Sequence, residues 1–374
     1  MLKGVYLTLM IGPAVPVPAP QPVMEALKSV QVNTSRDRSG FQLTFTIGKT
    51  SLLQMALLPA GYLDPISTRV VIIVTMNGVP QVLMDGIVTR QEISPSNEAG
   101  QSTLTVTGED LSVLMDIIEM KLPYPAMPDA VRITTIIGKY AAFGIQPRVV
   151  PPPVVTVKSP TKEIPVQTGT DLSYIRGIAL QCGYVFYVEP GPIPLTSTAY
   201  FGPDAPLPVP QRALSVNMDW QTNVESLTFS LDGLAKKVVV ITILDPITGK
   251  IPIPLPVPNV SFVHPPLGAR LTPPAKIQFP SDMAKLSSDE ALKQAFGLML
   301  ENSDAITGNG SLNVTRYGQI LRARMMVGVR GAGITYDGMY YVNSVTHNIK
   351  QGEYKQSFTL SRDGLISQTP AVGP

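Results

Sequence analysis

The sequence predicts a mainly β chain with α+β insertions, organised around two related β modules that carry two smaller decorating domains. Three observations lead there. Apolar residues recur at every second position in several separate stretches, the mark of half-buried strands. Strands of this kind in the first third of the chain have counterparts in the last third, in the same order. Proline is abundant, with 37 in 374 residues, and its clusters fall between the periodic stretches, where a residue without an N–H does least harm.

Residues 1–27 read as a Pro-rich extended arm. Lys3 followed by the apolar Val5 to Ile11 has the outline of a leader, but Pro13, Pro16 and Pro18 follow where small residues would be expected. Residues 28–108 form the first β module. Phe41, Leu43, Phe45 and Ile47 alternate with Gln42, Thr44 and Thr46; Val70, Ile72 and Val74 do the same. Asn77-Gly78 marks a hairpin, because a type I′ turn needs φ > 0 at both central residues. Val82 to Arg90 returns, and Leu104 and Val106 mark a further strand.

Residues 109–219 read as an α+β decorating domain. Asp110 can cap a helix bearing Leu111, Leu114, Met115 and Ile118. A second helix runs from about Asp129 to Phe143, with Ile133, Ile136, Ile137 and Tyr140 inward and Gly144 closing it. A third starts near Thr170 with Leu172, Ile175, Ala179 and Leu180 as its stripe; Gly183 ends it and a strand Tyr184–Val188 follows. The second β module combines residues 220–235 with 309–366. Between its parts lies an inserted decorating domain, 236–308, with a strand Lys237–Leu244, prolines at alternate positions over Pro252–Pro258, and a capping box of Ser287 and Glu290. Residues 367–374 are a tail.

The repeat rests on three pairings. Phe41–Ile47 matches Glu225–Leu231, Val88-Thr89 matches Val345-Thr346, and Leu104–Thr107 matches Phe358–Ser361 with the same inward parity. Three copies of a chain with two such modules would present six similar modules around one axis.

Composition narrows the function. The net charge of +2, from 29 basic and 27 acidic residues, is too small for a broad nucleic-acid surface. A charged fraction of 15%, against a usual ~25%, suits a subunit with much surface covered by partners. One cysteine, Cys182, permits no internal disulfide, and two histidines, His264 and His347, fall short of a zinc site's tight ligand spacing. No apolar run is long enough for a membrane-spanning helix.

No cofactor, metal or catalytic set is expected. Gly328-Val329-Arg330-Gly331-Ala332-Gly333 lacks the strand-turn-helix setting of a phosphate loop. His347, Asp337 and Ser344 could be written as a triad, but no nucleophile elbow accompanies them. Glu109 and Asp110 sit at a predicted helix start, where a carboxylate offsets the dipole. Cys182 lies at a helix C-terminal end, which does not stabilise a thiolate, and reads as a buried apolar residue. Arg316, Arg322, Arg324, Arg330 and Arg362 form a basic series, of which Arg322, Arg324 and Arg330 could supply channel or intersubunit charge.

Two long segments carry a resemblance. Thr170-Asp171-Leu172 through Arg176, then Gly183-Tyr184-Val185-Phe186-Tyr187-Val188, then Tyr200-Phe201-Gly202-Pro203, resembles a run in the phage late-control D and VgrG-type hub family of contractile injection systems. Tyr336-Asp337-Gly338 through Tyr341-Val342, Val345-Thr346-His347 and Phe358-Thr359-Leu360 resembles that family's closing segment. The resemblance implies a homotrimeric baseplate hub with two tube-like β-barrel modules per chain, joining a six-fold inner tube to a three-fold spike. It also implies the inner tube protein, a separate spike protein and other baseplate components as partners, and assembly within a large particle in the bacterial cytoplasm. It makes Asp171, Leu172, Gly183, Tyr184, Tyr187, Phe201, Gly202, Tyr336, Gly338, Tyr341, Val345, His347, Phe358 and Leu360 structural motif residues. The competing expectation is a secreted or surface adhesin-like β protein, drawn from the apolar start and the Thr/Ser-rich strands.

Overall fold

The computed structural model describes residues 4–36, 38–48, 51–98, 100–152, 164–204, 207–244, 252–257, 266–279 and 304–369. The first half contains β1 (Val5–Gly12), β2 (Val17–Pro18), α1 (Gln21–Ala26), β3 (Leu27–Thr34), β4 (Ser39–Thr46), β5 (Arg69–Met76), β6 (Val79–Ser94) and β7 (Thr103–Asp110). A mixed region follows: β8 (Glu119–Pro123), α2 (Asp129–Gly138), β9 (Ile145–Val149), β10 (Val166–Thr170), α3 (Asp171–Cys182), β11 (Tyr184–Pro190), β12 (Ser197–Pro203) and β13 (Leu207–Ser215). The second half opens with β14 (Ser226–Leu231). It is interrupted by β15 (Lys237–Leu244), β16 (Pro252–Val257), β17 (Gly268–Leu271) and β18 (Lys276–Gln278). It resumes with β19 (Ile306–Asn313), α4 (Val314–Tyr317), β20 (Met325–Arg330), β21 (Gly338–Lys350), β22 (Glu353–Arg362) and β23 (Gly364–Ser367).

The chain is mainly β, as expected. Its organising feature is one 13-stranded sheet in the order β14-β19-β22-β21-β3-β4-β7-β6-β5-β1-β2, with β20 also on β21 and β13 on β20. Among the described residues no ladder closes on itself; the two expected modules are the two ends of this continuous sheet. Numbered by appearance, the first half (β3, β4, β5, β6, β7) is arranged 1-2-5-4-3. The second half (β14, β19, β20, β21, β22) has the same arrangement. The halves meet edge to edge, where the end of β21 pairs antiparallel with β3, Val345 opposite Thr34 through Lys350 opposite Ser29.

This topology corrects the sequence alignment of the repeat. The long fourth strands each switch neighbours midway, β6 at Ile87 and β21 at Tyr341, and each carries a bulge just beyond, at Thr89 and Asn343. Val88 therefore corresponds to Val342, three residues from the Val345 that the sequence suggested. The Val88 carbonyl accepts from Ile66 N–H at 2.7 Å and the Val342 carbonyl from Arg324 N–H at 2.8 Å. Both donors have positive φ, 68° and 63°. Likewise β14 is the counterpart of β3, and β4 corresponds to β19. The sequence paired β4 with β14 because Leu227-Thr228-Phe229 keeps the apolar alternation, whereas β19 carries glycines at the equivalent inward positions.

The insertion thus lies between β14 and β19, where the first half has only the short turn from Thr34 to Ser39, and β19 begins at Ile306 rather than after residue 308. In β16 the alternating prolines edge a small sheet with β15, opposite Thr242 and Val240; an edge strand tolerates their missing N–H groups. The capping box at Ser287 and Glu290, and His264, lie outside the described residues.

Further differences have local causes. The supposed arm is a strand: β1 pairs with β5 over eight positions, with Leu9 and Ile11 buried, and its prolines come only after it ends. Asp110 caps as expected, its carboxylate accepting from Ser112 N–H at 2.9 Å, but the segment is a short 3-10 turn over Leu111–Asp116 leading into β8. The helix expected over 129–143 ends at Gly138 and resumes as a 3-10 turn before Gly144, whose φ is 81°. In α3, Leu180 faces out and Ile178 takes the inward place. Ile334–Tyr336 lies in the turn before Gly338, and the strand that pairs with the start of β21 is β20. Finally β13, within the range of the decorating domain, joins the main sheet through β20.

Two cores result. One runs unbroken through both sheet halves, from Leu9 and Ile11 through Val32, Phe45 and Val106 to Val345, Phe358 and Leu360. The other belongs to the mixed region, with Ile133, Ile137, Leu172, Ile175, Phe186 and Phe201. Full burial of such a side chain contributes about 1.5–3 kcal/mol; between the two large cores lies a junction with buried polar groups.

Candidate functional site at the junction of the modules

Arg324 stands at that junction. The residue is buried, at 7% exposure. Its Nη2 donates to the Ser35 carbonyl at 2.5 Å and its Nε to the Arg36 carbonyl at 3.3 Å, both in the turn joining β3 to β4. The guanidinium lies 3.8 Å from the centre of the Tyr187 ring and 3.7 Å from a Glu189 carboxylate oxygen, both on β11. One side chain thus ties the second half, the first half and the mixed region. A planar cation with several donors suits the task.

A second bridge runs beside it. The Tyr341 hydroxyl, on β21, donates to Asp204 at 2.6 Å, and Arg36 pairs with the same carboxylate at 2.7 Å. Burial raises the Tyr341 hydroxyl above its usual value, and Asp204 adds to the shift, so the phenol stays a donor. Burial pushes Tyr187 up in the same way. A cleft of about 310 Å³ opens here, lined in part by Arg148, Tyr187, Glu189, Arg322, Arg324 and His347.

Asp171 organises the mixed region. It is buried at the start of α3, and its carboxylate accepts from Lys139 Nζ at 3.1 Å, the Tyr140 hydroxyl at 2.9 Å and Gln167 Nε2 at 2.7 Å. The Tyr124 hydroxyl donates to Gln167 at 2.9 Å. Thr170 caps the helix through Ser173 N–H, Leu172 packs beneath it, and Gly183 closes it at φ 66°. Tyr184 meets Phe201 edge-on at 5.4 Å and Tyr187 meets Tyr200 at 5.1 Å. Gly202 leaves room for Tyr200, whose hydroxyl would lie 2.6 Å from an added Cβ.

The closing motif builds the far end of the sheet. Tyr336 stacks on Phe229 at 5.2 Å, and Gly338, at φ 119°, passes so close to Ser367 that a Cβ would lie 2.1 Å from it. Val345, Phe358 and Leu360 are core residues. His347 is buried on β21; its Nδ1 is 2.8 Å from the Tyr354 hydroxyl and 3.3 Å from Gln356 Nε2. Burial first, and Arg322 second, lower its pKa to about 3. Neutral, the ring accepts at Nδ1.

The structure does not assemble a triad: Ser344 pairs with Thr359 at 2.7 Å, the Asp337 carboxylate accepts from Ala332 N–H at 2.7 Å, and His347 pairs with Tyr354. Among the described residues no three metal-ligating side chains cluster, and no helix is long and apolar enough to cross a membrane. Of the three candidate arginines, Arg322 and Arg330 remain toward solvent, Arg322 donating to Gln81 at 3.1 Å and Arg330 to Gln221 at 3.3 Å. Arg362, which the sequence placed in the basic series, is wholly buried and donates to the carbonyls of Gly364, Asp337 and Thr335 at 2.7, 2.9 and 2.9 Å. It occupies the position in β22 that Asp110 occupies in β7, where the carboxylate takes two backbone N–H groups.

No protein-family model matches the sequence, and no curated protein matches it. Solved structures do match the fold. A tail protein from Neisseria meningitidis aligns over 98% of this chain and 99% of its own, with TM-score 0.63 and 14% identity. The 43 kDa tail protein of prophage MuSo2 from Shewanella oneidensis aligns over 96% and 99%, with TM-score 0.60 and 13% identity. A type VI secretion system component of E. coli, described as structurally similar to the T4 bacteriophage tail proteins gp27 and gp5, aligns over 93% and 76%, with TM-score 0.53 and 10% identity. The chain therefore has the β-rich fold of these phage-tail and secretion-system proteins, while the two closed barrels that the resemblance implied do not form among the described residues.

Proposed function

We propose that this chain is a non-enzymatic structural hub of a contractile, phage-tail-like injection particle, a homotrimer that adapts a six-fold inner tube to a three-fold spike. The observation that carries the reading is the repeated 1-2-5-4-3 strand order within one continuous sheet. Two similar halves per chain let three chains offer six similar surfaces on one side while keeping three-fold symmetry on the other. The fold shared with tail and VgrG-like proteins supports the same role, as does the low charge of the chain. The partners in this reading are an inner tube protein, a separate spike protein and other baseplate components. Specific nucleic-acid binding has no place in it, and the particle is assembled in the bacterial cytoplasm.

Electron microscopy of the purified chain tests the proposal. The expected particle is a three-fold ring with six similar lobes of density. A protein that stays monomeric at micromolar concentration, and is recovered as single copies from particles containing it, would sink the hub reading.

A further inference from the structure

The cleft at the junction of the modules carries positive charge that the fold does not use up. Three arginines line it, Arg148, Arg322 and Arg324, against one carboxylate, Glu189. Among the described residues only Arg324 has an ion-pair partner there. That partner, Glu189, lies 3.7 Å from Nη1, beyond hydrogen-bond range. The other nitrogens of Arg324 are engaged by the Ser35 and Arg36 carbonyls. Nη1 of this buried cation is left without a hydrogen bond, and an unmet buried donor is costly.

His347 supplies a second unmet donor. The Gln356 side chain is oriented by the backbone of Leu321: Oε1 accepts from its N–H at 3.0 Å and Nε2 donates to its carbonyl at 2.7 Å. Nε2 is therefore the amide nitrogen, and its remaining hydrogen serves His347 Nδ1 at 3.3 Å. The ring is held neutral by burial, so the imidazole hydrogen sits on Nε2. Nε2 makes no hydrogen bond among the described residues, and His347 lines the same cleft.

The walls hold the arginines in place. The Arg324 guanidinium lies 3.8 Å from the centre of the Tyr187 ring, Tyr187 meets Tyr200 at 5.1 Å, and Arg148 lies 5.6 Å from the Tyr200 centre. Two aromatic rings thus have a cation at each end, an arrangement that fixes planar forks without consuming their donors. Arg148 and Arg322 are exposed, whereas Arg324 and His347 are buried.

We propose that this cleft is a binding site for a single carboxylate group, held by Arg324 Nη1 and His347 Nε2 at its floor and by Arg148 and Arg322 at its mouth. The inference rests on the geometry of one chain and stands apart from the trimeric reading. A planar carboxylate matches the guanidinium fork. Glu189 disfavours a second negative charge, which selects a carboxylate over a phosphate dianion. The volume of about 310 Å³ is at the small end for ligand sites, which run to about 1,000 Å³. It suits the side chain of an Asp or Glu in a partner segment, or a free small carboxylate.

NMR of the full chain with isotope-labelled histidine tests the site, the His347 signal being identified by its loss in His347→Gln. A blocked Gly-Glu-Gly peptide should shift the His347 Nε2 signal saturably. Gly-Gln-Gly, and sodium chloride at equal ionic strength, should not. Arg148→Gln and Arg322→Gln should each weaken the peptide roughly tenfold, and Glu189→Gln should tighten it. Arg324 is left intact because it also holds the junction together. Sodium acetate as potent as the peptide identifies a free carboxylate as the natural occupant; a tighter peptide identifies a partner's side chain. No shift with either, an equal shift with the glutamine peptide, or tighter binding of inorganic phosphate would overturn the proposal.

Discussion

Arg324 was legible in the sequence only as one member of a basic series, which suggests solvated charge. Its surroundings in the fold are the opposite: it is buried, donates to two backbone carbonyls and stacks on Tyr187. Nothing in a single sequence links residue 324 with residues 35, 36 and 187, because the link is made by the turn of the sheet. Lysine cannot reproduce the planar fork, and each hydrogen bond from a charged group contributes about 1.5–3 kcal/mol. Arg324→Lys is therefore expected to cost about 3 kcal/mol, read as a lower urea midpoint with an unchanged slope. His347 gives a second residue-scale outcome. Its folded pKa, about 3, lies below the usual 6.5. The unfolded chain takes up this proton first as pH falls, so the stability tied to the ring is intact above pH 6.5 and declines below it. At pH 4.5 the loss amounts to roughly 2–3 kcal/mol. His347→Gln should remove that share of the pH dependence, measured as urea midpoints at pH 7.5 and 4.5; equal acid sensitivity in both proteins would refute the assignment.

At the scale of elements, what the sequence disclosed was what local chemistry determines. Thr170 and Gly183 bound α3, Asn77-Gly78 turns the β5–β6 hairpin, and the alternating strands are where the periodicity puts them. What it concealed depends on neighbours distant in sequence. Proline density hid β1, whose apolar alternation ends before the first proline. The glycines of β19 hid its kinship with β4: Phe41 lies over Gly108 in the first half, whereas Leu360 lies against Gly308 in the second, so the large and small partners are exchanged across equivalent pairs. The same geometry separates two substitutions that look alike. An alanine Cβ at Gly108 would lie 2.3 Å from both the Ile87 carbonyl oxygen and the Phe41 ring, whereas at Gly177, within α3, it meets nothing within 4 Å. Overpacking of that kind costs about 1–3 kcal/mol; relief of helix-interior glycine returns about 0.5–1 kcal/mol. Gly108→Ala should lower the thermal midpoint and Gly177→Ala should raise it. A shift in the same direction for both would contradict this account of the packing.

For the whole molecule, the continuous sheet and the divided core make opposite demands on cooperativity. The two sheet halves share one apolar core and the β21–β3 ladder, so neither can open without exposing the other. The mixed region has a core of its own and is held to the sheet partly by polar contacts of Arg324, Arg36, Tyr341 and Asp204. Units with separate cores open with separate free energies. Native-state hydrogen exchange in rising denaturant should therefore resolve two steps. Amides of α2, α3 and β11 should lose protection first, and those of β3 and β21 should lose it later and together, despite lying some 300 residues apart in sequence. In Arg324→Lys the first step should move to lower denaturant by more than the second, because the cation anchors Tyr187 and Glu189 of the mixed region as well as the turn of β3. If β3 and β21 exchanged in separate steps, the view of the chain as two halves of one sheet would fail. So would the proposed presentation of six similar surfaces by three chains, since such surfaces require the internal junction to be as firm as the halves it joins.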